Sequence, residues 1–271
     1  MINRLAISPA KIEVEVAPGA QTTVPIFLLN PSAEPVTVRV SAEDVVGGTS
    51  AAADGEVIKL LATDGSPYSL KSYLSFSTRE VSLAPGEQVA LPVTVSLPAG
   101  APAGGLYGAV LFSFGAPTGG APAQVVNRLA SLFFVRTGVA TAPNSELIGF
   151  KLITREPLAF ALTVENSGNI YLNPYGLITI TNRLTGRERF VKLDPWFVLP
   201  GATRFREVTG LELPLGFYHA TAEVNRGYED IIDTRSINFY LLPATSTLVL
   251  AGLALICLSV FIIVWLKKRR V

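Results

Sequence analysis

VALPVTVSL, residues Val89–Leu97, sets Val89, Leu91, Val93, Val95 and Leu97 at every second position. Successive side chains of a strand point to opposite faces, so this run reads as a strand with one apolar face. Pro85-Gly86 turns the chain into it, and a Pro/Gly/Ala loop, Pro98 to Gly105, leads out into Leu106–Phe114. Upstream, Ile12, Val14 and Val16 alternate with Lys11, Glu13 and Glu15, a half-buried strand with one wet side. Pro18-Gly19 turns into Thr22–Leu29, and the cluster Asn30 to Pro35 turns again before Val36, Val38 and Val40. Residues 47–57 are small and polar and read as a loop; Val125–Arg136 closes the set. No segment of helical period appears before residue 247, so the first 140 residues read as an all-β sandwich.

A second set follows a short linker near Gly138–Ser145. Leu158, Phe160, Leu162 and Val164 alternate, Asn166 to Asn169 turns, and further strands run at Leu177–Asn182, Arg189–Leu193, Leu215–Val224 and Ile231–Leu241. An internal repeat ties the sets together. Each has a Pro-Gly turn, a strand, a Leu-Pro pair and then Gly-x-Tyr, at Gly105-Leu-Tyr107 and Gly216-Phe-Tyr218. Asn30 and Asn166 hold similar places in the two sets. The expected fold class is therefore all-β, two tandem immunoglobulin-like β-sandwiches at 1–140 and 141–242, followed by one C-terminal transmembrane helix at 243–266 and a basic tail at 267–271.

That last expectation rests on Thr247–Leu266, which carries no charge and is followed by Lys267, Lys268, Arg269 and Arg270. Twenty helical residues rise ~30 Å, the thickness of a bilayer's hydrocarbon. Trp265 suits a headgroup position, and the four basic residues are topology-determining: they place the C-terminus in the cytoplasm and the sandwiches outside. The expected localisation is the cell membrane, single-pass. An exported ectodomain would begin with a signal segment, whereas Met1-Ile-Asn-Arg runs into a strand. A trimmed signal, a misplaced start and a tail anchor compete, and the charge bias favours the first two.

Composition excludes several functions. Lys plus Arg total 22 and Asp plus Glu 21, a net charge of +1, which gives no basic face for nucleic acid. The single cysteine, Cys257, lies in the apolar run, so the sandwiches have no disulfide. His219 is the only histidine, which excludes His/Cys metal sites by count. It lies on the strand face opposite Tyr218, Ala220, Ala222 and Val224, and nothing near it resembles a nucleophile elbow. Asp44, Asp54, Asp64, Asp230 and Asp233 are scattered without calcium-loop spacing. No catalytic residue, cofactor or metal is expected, and the chain reads as not an enzyme. Tyr68, Tyr73 and Tyr107, with Tyr171, Tyr175 and Trp196, are the candidates for stacking on sugar rings, although sandwich tyrosines more often serve core or corner. Asp194-Pro-Trp-Phe-Val198 is expected to plug the second core.

Tyr68-Ser-Leu-Lys-Ser-Tyr-Leu-Ser-Phe-Ser77, Val81-Ser-Leu-Ala-Pro-Gly86 and Gly105-Leu-Tyr-Gly-Ala-Val110 resemble the WxL-interacting protein family of bacterial surfaces. Ile7-Ser-Pro-Ala-Lys11 and Arg128-Leu-Ala-Ser-Leu132 are similar too, and pilus chaperones share some of these motifs. The resemblance implies a peptidoglycan-binding sandwich, a second sandwich that contacts partner proteins, one span and a basic tail. Leu242-Pro243-Ala244-Thr245-Ser246 resembles a sortase sorting signal with serine in place of glycine, so a helix start and a cut site both stay open. The expected function is a non-enzymatic membrane-anchored surface protein, with the membrane and cell-wall peptidoglycan or a surface protein as partners. The alternative is a chaperone-like assembly factor for secreted surface subunits.

Overall fold

The computed structural model describes residues 5–48, 57–61, 65–115, 127–138, 141–242 and 245–268. Ten strands come first: β1 (Ala6–Ser8), β2 (Lys11–Glu15), β3 (Gln21–Leu29), β4 (Val36–Gly47), β5 (Ile58–Leu61), β6 (Leu74–Phe76), β7 (Glu80–Leu83), β8 (Gln88–Ser96), β9 (Gly105–Phe114) and β10 (Asn127–Arg136). Seven more follow: β11 (Ser145–Arg155), β12 (Leu158–Asn166), β13 (Tyr175–Asn182), β14 (Glu188–Leu193), β15 (Thr203–Leu211), β16 (Gly216–Asn225) and β17 (Ile232–Leu241), then α1 (Thr245–Lys268).

The first sandwich faces a sheet of order β1-β3-β8-β6 against one of order β2-β10-β9-β4-β5, with β7 also on β4. The second faces β11-β12-β15 against β14-β13-β16-β17. The first strand changes sheets: β1 pairs with β3, and beyond Pro9 β2 pairs with β10, parallel to it. On β8, Leu91, Val93 and Val95 are buried while their neighbours are not, as period two requires.

β9 breaks that alternation because both of its faces are covered. Leu106, Val110 and Phe112 enter the first core; Tyr107, Ala109 and Leu111 join a second cluster with Phe160, Tyr171 and Val198. The two sandwiches thus share one apolar cluster.

The repeat has a physical basis in two buried asparagines, Asn30 and Asn166, both 0% exposed. The Asn30 amide donates to the Glu34, Leu83 and Ala84 carbonyls, and Asn166 donates to those of Ile170 and Val198. Each side-chain oxygen accepts the N–H two residues on, from Ser32 or Gly168. Each main chain is clamped by the Pro-Gly turn: Gly86 N–H donates to the Asn30 carbonyl and Gly201 N–H to that of Asn166. One side chain therefore pins two turns in each sandwich.

The expected fold class is corrected at its C-terminal part. Helix α1 forms where the span was expected, but among the described residues no helix is long and apolar enough to cross a membrane. The single-pass localisation and the membrane partner are withdrawn with the span. Lys267 and Lys268 end α1 with their side chains outside the description; Arg269 and Arg270 lie outside the described residues altogether. Of the sortase-like stretch, Leu242 is exposed, Pro243 and Ala244 lie outside the described residues, and Thr245 and Ser246 open α1.

Asn166→Asp replaces the amide with a group that cannot donate to two buried carbonyls and adds a buried charge. Urea unfolding is expected to show a loss of about 2–4 kcal/mol; a change below about 0.5 kcal/mol would show that the turns hold without it.

Candidate functional site

Where the sandwiches meet, backbone and side-chain bonds cross between them. Tyr171 N–H donates to the Tyr107 hydroxyl at 2.6 Å, Gly105 N–H to the Asn169 carbonyl at 2.8 Å, and Thr203 N–H to the Gly48 carbonyl at 3.1 Å. The Tyr171 hydroxyl donates to Glu13 Oε2 at 2.8 Å. Rings fill the space between these bonds: Phe134 lies 5.1 Å from Tyr171 and 5.3 Å from Phe197, centroid to centroid.

Glycine at 105 is required for this arrangement, because a Cβ there would sit 1.9 Å from the Tyr107 hydroxyl. The other Gly-x-Tyr serves locally: the Tyr218 hydroxyl donates to the Pro214 carbonyl four residues upstream, closing a corner of its own sandwich. One motif thus does two jobs.

Cations stack against the rings. The Lys11 ammonium is 5.5 Å from the Phe134 ring centre and 5.6 Å from that of Phe197, Arg136 is 4.5 Å from Tyr171, Arg204 is 4.3 Å from Phe197, and Arg206 is 4.5 Å from Trp196. Lys11 also pairs with Glu13. Burial disfavours the Glu13 carboxylate, but hydrogen bonds from Lys11 and Tyr171 and the nearby Lys11 and Arg136 charges outweigh it, holding the carboxyl below its usual range. Burial, with the bond to Glu13, pushes the Tyr171 phenol up to about 12.

A groove of about 640 Å³ opens beside this joint, lined by Lys11, Asn173, Tyr175, Pro195, Trp196, Phe197 and Arg204. Trp196 is 7% exposed and belongs to the shared cluster, and its Nε1 is buried without a hydrogen-bond partner among the described residues. Arg204, like Arg206, lies two positions apart on β15 on the side of Val208, which packs against the cluster. Inward-pointing charges of this kind protect an edge strand.

Among the described residues the first sandwich also carries an unpaired strand edge. β2 covers β10 only from Leu132 to Arg136. Leu132 N–H donates outward, to the Ala10 carbonyl, so by alternation the N–H and C=O of Arg128 and Ala130 also point away from β9. No described strand pairs with them.

The sequence-based candidates are dispersed. Tyr107 is 1% exposed and spends its hydroxyl on Tyr171. Tyr68 packs edge-on against Tyr107 at 6.2 Å, and Tyr73 packs against the first core. Tyr175 and Trp196 do reach the groove. Arg204 and Phe197 were missed; a charged residue inside a strand pattern beside Asp194-Pro-Trp-Phe was the available signal. His219 bonds Asn238 through Nδ1 at 2.8 Å on the outer sheet face. Asp44 accepts from Ser69, Leu70 and Lys71, a structural turn, and Asp233 pairs with Arg226. Asp230 holds a left-handed turn position with φ 51, and Asp54 and Asp64 lie outside the described residues.

No family model and no curated protein matches this chain. Solved structures do. The class 5 fimbriae chaperone CfaA aligns over 89% of this chain and 100% of its own, at 14% identity and a TM-score of 0.42. The E. coli chaperone DraB aligns over 89% and 98%, at 13% and 0.41. The Salmonella enterica chaperone SafB, solved with the SafA pilin, aligns over 89% and 98%, at 14% and 0.41. Likeness at that level carries no activity from one protein to another. The expected place in the WxL-interacting family is corrected, since no family model supports it and the similar structures are named as chaperones. The reading as a membrane-anchored surface protein that binds cell-wall peptidoglycan falls with it, as does that choice of partner.

Glu13 has a depressed folded pKa, so it stabilises the fold above the ordinary glutamate value of ~4.3 and that contribution disappears as pH falls through the lowered value. Glu13→Gln is expected to cost under about 1 kcal/mol at pH 7, the site being partly solvated, and less as pH is lowered to about 2. Urea midpoints at both pH values check this; an equal deficit at each would contradict it.

Proposed function

We propose that this chain is a non-enzymatic, chaperone-like assembly factor that holds an unassembled surface subunit by taking one of its strands onto the open half of β10. Its domains are taken as 1–140, which supplies the edge, and 141–242, which supplies the far wall of the groove. The observation that carries this reading is the pair Arg128 and Ala130, whose four main-chain groups face outward beside a strand already paired further along.

Three other edges discourage such pairing. β14 presents Glu188, Arg189 and Lys192; β15 carries Arg204 and Arg206 inward and a left-handed glycine, Gly210; β6 is only three residues long. β10 has Arg128 alone as a charge before Arg136, with Leu129, Ala130 and Leu132 between them. Strand addition at an edge of this sort takes affinity from main-chain bonds and selectivity from alternate side chains. A pilin is the partner in the SafB complex, and a subunit of that kind is the client proposed here.

The test uses the full chain and a blocked peptide, acetyl-Val-Thr-Val-Thr-Val-Thr-amide. Amide exchange is expected to slow at Arg128 and Ala130 when the peptide is added. Ala130→Pro removes an N–H that makes no bond to β9, so the sandwich stays intact while peptide affinity falls about tenfold, the upper end for one lost main-chain bond. Protection at some other edge, or unchanged affinity in Ala130→Pro, would overturn the reading.

A further inference from the structure

Pro25 and Pro92 face each other across the β3–β8 pair, the two central strands of their sheet, where a residue without an N–H is rarely found. Asn30 N–H donates to the Glu87 carbonyl at one end of this pair, and Leu97 N–H to the Ala20 carbonyl at the other. Bonded and non-bonded pairs alternate along an antiparallel ladder. Leu28 with Val89, Ile26 with Leu91, Val24 with Val93 and Thr22 with Val95 therefore carry the bonds between β3 and β8. The two prolines fall between these pairs, so neither interrupts the ladder. Their ring nitrogens point away from each other, Pro25 to the outer side of β3 and Pro92 to the outer side of β8.

Each outer side is covered over part of its length. β1 pairs with Phe27–Leu29 of β3, and beyond Ser8 the chain crosses to the other sheet as β2. β6 pairs with Val93–Val95 of β8, and beyond Phe76 the chain crosses as β7, which pairs with β4. Past these crossings no described strand pairs with the outward groups of Gln21, Thr23 and Pro25 on β3, or of Gln88, Ala90 and Pro92 on β8. Each gap is about five residues and ~17 Å long, the length of an ordinary strand. Neither Gln21-Thr-Thr-Val-Pro25 nor Gln88-Val-Ala-Leu-Pro92 contains a charge, so the defences of β14 and β15 are missing here. In both gaps an exposed proline stands at the end nearest the covering strand. An incoming strand laid along either gap meets a ring carbon where it needs an N–H, and one of its own carbonyls is left unpaired.

We propose that Pro25 and Pro92 determine where a client strand pairs: they close both gaps of the four-stranded sheet and direct the client to β10, where Ala130 keeps its N–H. This rests on strand addition at β10 and assigns the residues that steer it there. Proline is one of the residues that blunt an exposed strand edge, and two prolines at matching places on opposite edges shut this sheet from both sides.

The test compares full-length wild type, Pro25→Thr and Pro92→Thr with the same blocked peptide, acetyl-Val-Thr-Val-Thr-Val-Thr-amide, by residue-resolved amide exchange and binding stoichiometry. Wild type is expected to take one peptide per chain, with slowed exchange at Arg128 and Ala130 and unchanged exchange at Thr23 and Ala90. Pro25→Thr is expected to take a second peptide and slow Gln21 and Thr23; Pro92→Thr does the same at Gln88 and Ala90. Each opened gap gains up to about tenfold in affinity from one restored main-chain bond. Combining Pro25→Thr with Ala130→Pro is expected to move the peptide from β10 to β3. Slow exchange at Val24 and Val93, which bond across the pair, checks that the sheet is intact; where a threonine variant loses it, Pro25→Ala and Pro92→Ala supply the same N–H with less bulk. Variants that still take one peptide, at β10 alone, overturn the directing role and leave strand addition standing. Protection of Thr23 or Ala90 in wild type overturns both. No protection of Arg128 and Ala130 in wild type overturns strand addition, and the directing role with it.

Discussion

The buried N–H of Tyr171 needs an acceptor, and the one it has is the hydroxyl of a residue in the other sandwich, Tyr107 at 2.6 Å. Leaving such a donor unpaired costs about 1–3 kcal/mol, so this single bond constrains where the second sandwich can sit. It also constrains the first. Tyr107 can turn its hydroxyl toward Tyr171 only because position 105 has no side chain to meet it. Around that bond Phe134 packs edge to face on Phe197 and at a tilt on Tyr171, and the cations that stack on these rings, Lys11 and Arg136 from one sandwich and Arg204 from the other, come from both. If the joint opened, Lys11 and Arg204 would no longer share Phe197, and the groove would lose one wall.

Edge and groove acquire a common meaning from this constraint. A half-open strand on a lone sandwich is a liability, and β14 and β15 show the usual charged defences against it. β10 lacks them from Leu129 to Ser131, and the chain instead ends the opening sharply with β2, whose Lys11 lines the groove at the joint. A partner strand is thereby given a place to pair, a fixed place to stop and a place to turn away. The proposed assembly role follows from that sequence of features along one strand.

Much of the framework was legible in the residues. Period-two runs at Val89–Leu97 and Ile12–Val16 mark real strands, and the matching positions of Asn30 and Asn166 mark real repeats, because each amide closes the same set of bonds. The uncharged run at Thr247–Leu266 suggested a span; a helix forms there, but among the described residues no helix is long and apolar enough to cross a membrane. The site was less legible, for a physical reason. Lys11 and Glu13 looked like the wet face of an ordinary strand; what makes them special is Phe197 and Tyr171, over 150 residues away, and no local pattern carries that separation. Tyr107 looked like a binding aromatic because sequence shows the ring but not the second sandwich that covers it.

The central claim is that the two sandwiches move as one body, so that the β10 edge and the groove form a continuous surface. Residual dipolar couplings measured on the full chain in a weakly aligned sample test it most directly. A single alignment tensor fitting the amides of β1 to β10 and those of β11 to β17 together is the predicted result; two tensors of different orientation or magnitude would contradict it.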